Sequence, residues 1–539
     1  MARADPRAGA AAPPVPARRQ DPLAFARSVG DRIDNLEASI PPQCYTRTGP
    51  RSNPCFACHT AGHGDNGMSD WHLQGEYAFS DFGAVNHWTN LFVDRRPAIA
   101  AITDEAVLAY VREDNYRPLR VALRGRADYR GYVPDLDLAA GFDARGFAVD
   151  GSGWRAYTFK PFVGTFWPTN GSAGDAMIRL DMSFRTDSEG RPSSAIYAAN
   201  LAILEAAIGG DPKIAADELV WPIESMDERA LGVDLDGDGE LGPAARLLRG
   251  LPARYLGGAA SRPVRREVYP EGTELLHSVR YLDPEVPGLI AARMKELRYA
   301  RKVDELDRWA IQRVYEEAID ERQEGKLPRF RGSPEVGLRS DLGWQIQGFI
   351  EDEDGALRLQ TAEEHRFCMG CHQGIGATVD GVFSFARKRP GAAGWRYQDV
   401  DGLTDAPRLG QREPEYRQYL ARVGGGDELR ANAEMLARFF DGAGALRPEV
   451  LAGLDVTTEI AEIVAPSRRR AIDLDKAYWL VVREQSFTRG RDAVLAPAEN
   501  VHRRIDDGAT ELGAAGTIHY DGGLRLEWPE VAKARAVAR

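Results

Sequence analysis

Residues 289–322 read LIAARMKELRYARKVDELDRWAIQRVYEEAIDER, and this stretch weighs most in predicting the fold. Most of its apolar side chains recur at helical spacing, which places them on one face of a helix. The stretch therefore predicts one long helix or two consecutive helices. The residues that follow the spacing are Ile290, Met294 and Leu297, then Leu306, Trp309 and Val314.

Four further stretches predict helices, and one predicts strands. Thr103 precedes Asp104 and Glu105, an order typical of a capped helix start. Residues 130–190 are rich in aromatic residues and glycine, and their short alternating runs indicate strands and long loops. The whole chain therefore predicts a mainly α fold with long loops and minor β structure. The further predicted helices span 103–113, 194–209, 427–440 and 472–483.

Three segments are predicted along the chain. Residues 1–21 form a disordered segment, 22–270 a first region and 271–539 a second region with C-terminal helices. The first segment is rich in Ala, Pro and Arg and lacks the apolar run of a signal peptide. We therefore expect a flexible lead-in, with the export signal absent from this chain.

Composition excludes two classes of function. The chain has 539 residues and a net charge of −12. An acidic balance argues against nucleic-acid binding, which needs Lys and Arg to neutralise phosphates. No run approaches the ~18 consecutive apolar residues that a membrane-spanning helix needs. We therefore expect a globular protein with no nucleic-acid partner and no membrane span.

Two short stretches share the pattern C-x-x-C-H, namely NPCFACH at 53–59 and FCMGCH at 367–372. This pattern is typical of c-type haem attachment. The two thiols add to the vinyl groups of the porphyrin, and the adjacent histidine binds the iron. The predicted cofactors are two c-type haems, and the predicted haem-binding residues are Cys55, Cys58, His59, Cys368, Cys371 and His372.

The cysteine pairs allow two other interpretations. A C-x-x-C pair can be a redox dithiol, or it can supply half of a zinc site. A zinc site would need the two pairs to meet in space, and a thioredoxin-like motif normally occurs once. Neither interpretation explains why a histidine follows directly both times, so haem is favoured.

Both motifs resemble the haem-binding segments of bacterial dihaem c-type cytochromes, a broad group that includes dihaem cytochrome c peroxidases. The resemblance is confined to residues 53–59 and 367–373. It implies cytochrome c-like haem-binding segments with large insertions between them. It also implies a periplasmic or otherwise exported protein, because haem is attached covalently outside the bacterial inner membrane.

The resemblance and the length of the chain imply an oxidoreductase. One haem would relay electrons, and the other would activate a small oxidant or substrate in a peroxidase-like or oxygenase-like reaction. The expected partner is a redox protein, or a small-molecule oxidant or substrate. Two alternatives stay open: an electron-transfer cytochrome with both irons six-coordinate, and a sulfur-oxidising protein in which Cys44 ligates a haem.

The second axial ligand of each iron separates these functions, since a vacant position can bind a small oxidant. His72 and His87 follow the first motif closely, and His277 lies in an apolar and aromatic stretch, so these three are candidate distal ligands. His365 is so close to the second motif that we expect it near the motif histidine. Nearby cations can bind the haem propionates or form a solvated face; they are Arg95, Arg96, Arg387, Lys388, Arg389 and Arg396.

The first region contains a candidate calcium loop. The stretch GVDLDGDGELG follows the D-x-D-x-D-G pattern, in which alternating carboxylates converge on a hard cation. Ala245 stands where an EF-hand loop has its bidentate glutamate, so a structural site completed by Glu228 or Asp227 is expected. The alternative is an Asp/Gly turn without a metal. The candidate calcium ligands are Asp234, Asp236, Asp238 and Glu240.

Overall fold

The computed structural model describes residues 21–47, 54–60, 79–164, 168–424, 432–505, 517–519 and 523–538. Most of the predicted disordered segment, 1–21, lies outside them. The α-helices in these ranges are α1 (Ala24–Val29), α2 (Arg96–Ala100), α3 (Asp104–Val111), α4 (Tyr116–Leu123), α5 (Ser194–Gly209), α6 (Glu228–Leu231), α7 (Arg308–Gln323), α8 (Ala362–His372), α9 (Glu415–Val423), α10 (Ala433–Phe439), α11 (Pro448–Gly453), α12 (Ile460–Val464), α13 (Arg468–Glu484) and α14 (Pro529–Val537). The strands are β1 (Arg155–Ala156), β2 (Ala173–Arg179), β3 (Val220–Met226), β4 (Ala245–Arg249), β5 (Glu274–Leu282), β6 (Ile290–Lys302), β7 (Arg331–Ser333), β8 (Gly337–Arg339), β9 (Trp344–Glu351) and β10 (Leu357–Leu359).

A large antiparallel sheet organises the fold. It has eight strands in the order β1-β2-β5-β6-β9-β8-β7, with β10 also paired to β9. Strands β3 and β4 form a separate pair. Of the residues that the structure describes, 35 % are helical and 17 % are in strands. The expected fold, mainly α with cytochrome c-like segments and large insertions, is therefore wrong. The sheet contains strands from both sides of residue 270. The division of the chain into two regions at this residue stays a prediction.

The first half of the predicted helix at 289–322 is the 13-residue strand β6. Both of its edges are paired, with β5 on one side and β9 on the other. On one face Leu297 packs beside Phe349, whereas the opposite face buries the charged residue Glu296. Because the middle of the strand is buried on both faces and one of these faces is charged, the alternation that marks a half-exposed strand is missing. Only the second half forms a helix, α7.

The predicted helix start at Thr103 and the helix ranges predicted in the rest of the chain agree with the structure. The side chain of Thr103 accepts a hydrogen bond from the Ala106 amide and caps α3. Helix α5 covers the predicted range 194–209, and α13 covers the range predicted at 472–483. Helix α10 falls within the range predicted at 427–440, of which residues 427–431 lie outside the described residues. No helix among the described residues is long and apolar enough to cross a membrane.

The two faces of the sheet are covered by different layers. On one face, Leu276 and Leu297 pack against the apolar side of α4. On the other face lies the largest hydrophobic cluster among the described residues, which contains nine of the sixteen residues of α5. Phe56 of the first C-x-x-C-H motif and Met369 of the second belong to this same cluster. Both motifs are therefore anchored in one core on one side of the sheet.

One buried carboxyl, Glu351 at the end of β9, lies in the interior of this framework. The hydroxyls of Tyr110 and Tyr281 donate hydrogen bonds to its two oxygens, at 2.8 and 2.6 Å. The guanidinium of Arg293 lies 3.3 Å away. Burial, only partly offset by Arg293, raises the pKa of Glu351 to about 7.

This raised pKa predicts a pH-dependent stability. Between about pH 4.5 and 7 the folded state binds more protons than the unfolded chain, so the stabilising contribution of Glu351 is lost as the pH rises through its folded pKa. The free energy of unfolding should fall across this window by roughly 3 kcal/mol more in the wild type than in Glu351→Gln. Urea titrations at several pH values measure the difference. If the free energy of unfolding depends on pH in the same way in both proteins, the raised pKa of Glu351 is wrong.

Candidate functional site

The second C-x-x-C-H motif forms the last turns of α8. The helix begins at a capping box in which Thr361 and Glu364 bond to each other's backbone amides. Cys368 and Cys371 are three residues apart, so their thiols lie on the same side of the helix. His372 is the last helical residue. The spacing thus presents two thiols and an imidazole together at the end of one rigid element.

The imidazole of His372 is held in one orientation. Its Nδ1 lies 3.2 Å from the carbonyl oxygen of Gly381, and the ring of Phe383 meets it edge-on at 5.4 Å. A carbonyl oxygen only accepts hydrogen bonds, so Nδ1 must carry the proton. Burial lowers the pKa of His372 to about 4, so the ring is neutral at pH 7. The lone pair is therefore on Nε2, which is the arrangement of a metal-binding histidine.

The two thiols of this motif do not resemble those of a redox dithiol. Burial raises the pKa of Cys371 to about 11 and raises that of Cys368, with Arg298 opposing the shift in both cases. A redox dithiol needs a lowered pKa and solvent access. A shared zinc site is also absent from the described residues, where the one cluster with metal-site spacing is acidic and contains no cysteine.

A row of paired residues crosses the sheet and reaches α8 at its β9 end. His277 of β5 is paired with Arg298 of β6, which is paired in turn with Gly348 of β9. The Gly348 amide donates a hydrogen bond to Nε2 of His365 in α8, at 3.0 Å. A side chain at position 348 would collide with Gln360, 2.3 Å from where its Cβ would lie. The absence of that side chain lets the segment leading into α8 pack closely on the sheet.

Two guanidinium groups flank Glu296 on this face, one half-buried and the other buried. Arg298 lies 2.8 Å from its carboxylate, and Arg491 lies 3.0 Å from the other carboxylate oxygen. Sequence spacing did not single out either cation. The cations expected to bind propionates are instead paired mostly within the chain: Arg95 with Glu484, Arg96 with Asp94, Arg387 with Glu415, Lys388 with Glu205 and Arg389 with Glu530, while Arg396 is exposed.

His277 lines a small cleft on the same face of the sheet. The cleft has a volume of about 20 Å³, and its other walls are largely apolar, with Phe159, Pro161 and Ile290 among them. Burial, reinforced by Arg298, lowers the pKa of His277 to about 4, so the ring is neutral at pH 7. A neutral imidazole in an apolar cleft can exchange a hydrogen bond with a molecule of water or peroxide size.

The other histidines near the motifs are described by the contacts of their imidazole rings. Both nitrogens of His365 are hydrogen-bonded, Nδ1 to the Thr361 carbonyl and Nε2 to the Gly348 amide. His87 stacks on Phe82, and its Nε2 lies 3.1 Å from the carbonyl oxygen of that residue. His72 lies outside the described residues. Among the predicted distal ligands in the part of the chain that the structure describes, His277 lines the cleft.

The first C-x-x-C-H motif begins with a short 3₁₀ turn at Pro54–Ala57. The amides of Cys58 and His59 both donate to the carbonyl of Cys55, at 3.0 and 2.7 Å. These bonds fold the motif into a compact turn. The turn at Pro42–Tyr45, which contains Cys44, packs against it.

The side chain between the first pair of cysteines, Phe56, has an unusual environment. The guanidinium groups of Arg408 and Arg422 lie 5.6 and 5.1 Å from its ring centre. The ring of His519 meets it edge-on at 5.0 Å. Sequence reasoning missed both Arg408 and His519, which lie hundreds of residues from the motif. Only the packing of the chain brings them to it.

The predicted calcium loop brings some of its carboxylates together. Oxygens of Asp234, Asp236 and Glu228 lie within 4.8 Å of one another. Burial and the neighbouring carboxylates raise the pKa of Asp236. The other two candidates, Asp238 and Glu240, are not part of this group; an Asp238 oxygen accepts the Glu240 amide instead, at 2.8 Å.

Comparisons with known proteins identify the family. The profile of a family described as “-like lipoprotein” matches residues 28–463. A protein of Aquifex aeolicus (strain VF5), described as an uncharacterized lipoprotein, is 31 % identical over 522 residues, covering 85 % of this chain and 86 % of the relative. No solved structure matches. The chain therefore belongs to this lipoprotein family.

This result corrects the resemblance to dihaem c-type cytochromes. The matched range includes both C-x-x-C-H motifs, yet the family is one of lipoproteins and no cytochrome family matches. As a family assignment, the resemblance is wrong. Membership in a lipoprotein family makes the chain an exported or membrane-anchored protein.

Proposed function

We propose that this chain is an exported redox protein that binds two c-type haems covalently. Cys55, Cys58 and His59 would hold one haem, and Cys368, Cys371 and His372 the other. The observation that supports this most is the hydrogen bond from Nδ1 of His372 to the Gly381 carbonyl. This bond leaves the lone pair of the ring on Nε2, where it can bind a metal, and the same helix end carries the two thiols. A bound haem would supply one-electron chemistry, tuned by its second axial ligand.

The proposal extends to an oxidoreductase, with the cleft at His277 as the site of a small oxidant. His277, which lines the cleft, is the strand partner of Arg298. The remaining cleft walls offer few polar groups, so His277 is the side chain suited to orient an oxidant or to move a proton to or from it. For the location of the whole protein we propose the periplasm, where covalent haem attachment takes place.

Haem content tests the proposal directly. Produced in a host with c-type haem maturation, the wild type should retain two haems per chain after denaturation, measured by the pyridine haemochrome spectrum. Cys55→Ala/Cys58→Ala and Cys368→Ala/Cys371→Ala should each retain one, because each loses one set of thioether bonds. Cys44→Ser is the matched control and should retain two. A wild-type chain without covalent haem would refute the proposal.

The role of His277 is tested separately. His277→Phe keeps the volume of the cleft filled but removes the polar group, so turnover of hydrogen peroxide with an artificial electron donor should fall about a hundredfold. Haem content should stay at two per chain. Arg246→Ala, which changes an exposed residue outside the cleft, is the control. Equal peroxide turnover in wild type and His277→Phe would show that His277 has no part in the reaction.

We also propose a structural calcium ion at Asp234, Asp236 and Glu228. Three converging carboxylates repel one another, and a divalent cation would relieve that repulsion. Calcium should therefore raise the unfolding temperature relative to EGTA in the wild type, by binding the folded state. The double variant Asp234→Asn/Asp236→Asn should lose this response, whereas Asp401→Asn, in another acidic loop, should keep it. The same calcium response in all three proteins would exclude this site.

A further inference from the structure

A network of buried charges surrounds Glu415, the first residue of α9. Its carboxylate accepts hydrogen bonds from Arg387 at 2.5 and 3.0 Å, from Arg408 at 3.1 Å and from Lys160 at 3.0 Å. Lys160 also bonds to Asp405, at 2.7 Å. All five side chains are at most 4 % exposed. Three cations and two anions give this cluster a net charge of +1.

The network is attached to the first motif through Arg408. While its Nε bonds to Glu415, its Nη1 donates to the carbonyl oxygen of Phe56, between Cys55 and Cys58, at 2.9 Å. The same guanidinium lies beside the Phe56 ring. One side chain therefore joins the motif backbone to the centre of the charge cluster.

The network also supports the wall of the cleft. Arg387 donates to the carbonyl oxygens of Lys160 and Pro161, at 3.2 Å each. The hydroxyl of Tyr416 donates to the Pro161 carbonyl as well, at 2.8 Å. Pro161 lines the cleft that contains His277. The charges that hold the first motif thus also fix a segment of the proposed oxidant site.

Charges in such a dry environment act strongly on their neighbours, because solvent screens them little. A net positive charge beside a redox group favours the reduced form, which carries one positive charge fewer. Removing a cation and removing an anion should then have opposite effects. A purely structural network would show no such opposition, since either change would only loosen the turn.

We infer that Arg408 is a positioning residue for the first motif, and that the Glu415 network sets the redox equilibrium of the group bound there. This inference rests on the proposed function, because it requires a haem at Cys55 and Cys58. Arg408 orients the motif through the Phe56 carbonyl, and Glu415 balances the three surrounding cations.

Spectroelectrochemical titration of both haems tests the inference. Arg408→Gln should lower the reduction potential of the first haem, Glu415→Gln should raise it, and Arg408→Lys, which keeps the charge, should stay close to the wild type. The potential of the second haem should not move. Cys368→Ala/Cys371→Ala, which retains the first haem alone, assigns the two potentials.

Lys388→Gln is the matched control, since Lys388 is equally buried and bonds to Glu205 and to the carbonyls of Arg389 and Gly391. It should leave the first potential unchanged. If the wild type holds two haems but Arg408→Gln and Glu415→Gln leave that potential unchanged or move it in the same direction, the inference alone is overturned. Should Glu415→Gln fail to fold, equal potentials in Arg408→Gln and Arg408→Lys overturn it. A wild type without haem overturns the proposed function and the inference together.

Discussion

The pairing of β6 on both of its edges is the constraint on which the rest of this structure depends. Thirteen residues with helical spacing are held extended because β5 and β9 satisfy their backbone groups from either side. The pairing aligns His277, Arg298 and Gly348 in one row. That row runs from a histidine through a guanidinium to a glycine whose amide bonds to the helix with the second motif.

The two C-x-x-C-H motifs are held in different ways. The second ends a capped helix, and its histidine is oriented by a backbone carbonyl and an aromatic edge. The first is a short turn whose carbonyl bonds to a buried guanidinium. Helix packing fixes one motif, and a charge network fixes the other. Both motifs belong to a single hydrophobic core. A substitution that disturbs the packing at one motif therefore disturbs the core that also supports the other.

Features with a local cause could be predicted from the sequence. The cap at Thr103, the range of α5 and the convergence of Asp234 with Asp236 depend on residues only a few positions apart. The strand β6 could not be predicted this way, because its burial on both faces comes from distant partners and its charged face hides the period of two. Local propensity is a weak signal where tertiary pairing decides.

The candidate site likewise combines features that the sequence predicts with features that depend on distant residues. The cysteine spacing indicated which residues to examine, but it gave no information on what lies around them. Arg298, Arg408 and His519 reach the motifs only through the fold. The arginines chosen for their closeness in sequence, such as Arg387, are instead bound to carboxylates of the chain. Of the two residues expected to complete the acidic loop, Glu228 has a carboxylate oxygen within 4.8 Å of Asp234 and Asp236, and calcium binding there stays a proposal.

The central claim is that both motifs bind haem covalently, and peptide mass mapping of the mature protein tests it most directly. We expect the peptide containing Cys55 and Cys58 and the peptide containing Cys368 and Cys371 each to carry the mass of one haem, and the peptide containing Cys44 to have its unmodified mass. Unmodified thiols at all four motif cysteines, in protein taken from a host that attaches c-type haem, would contradict it.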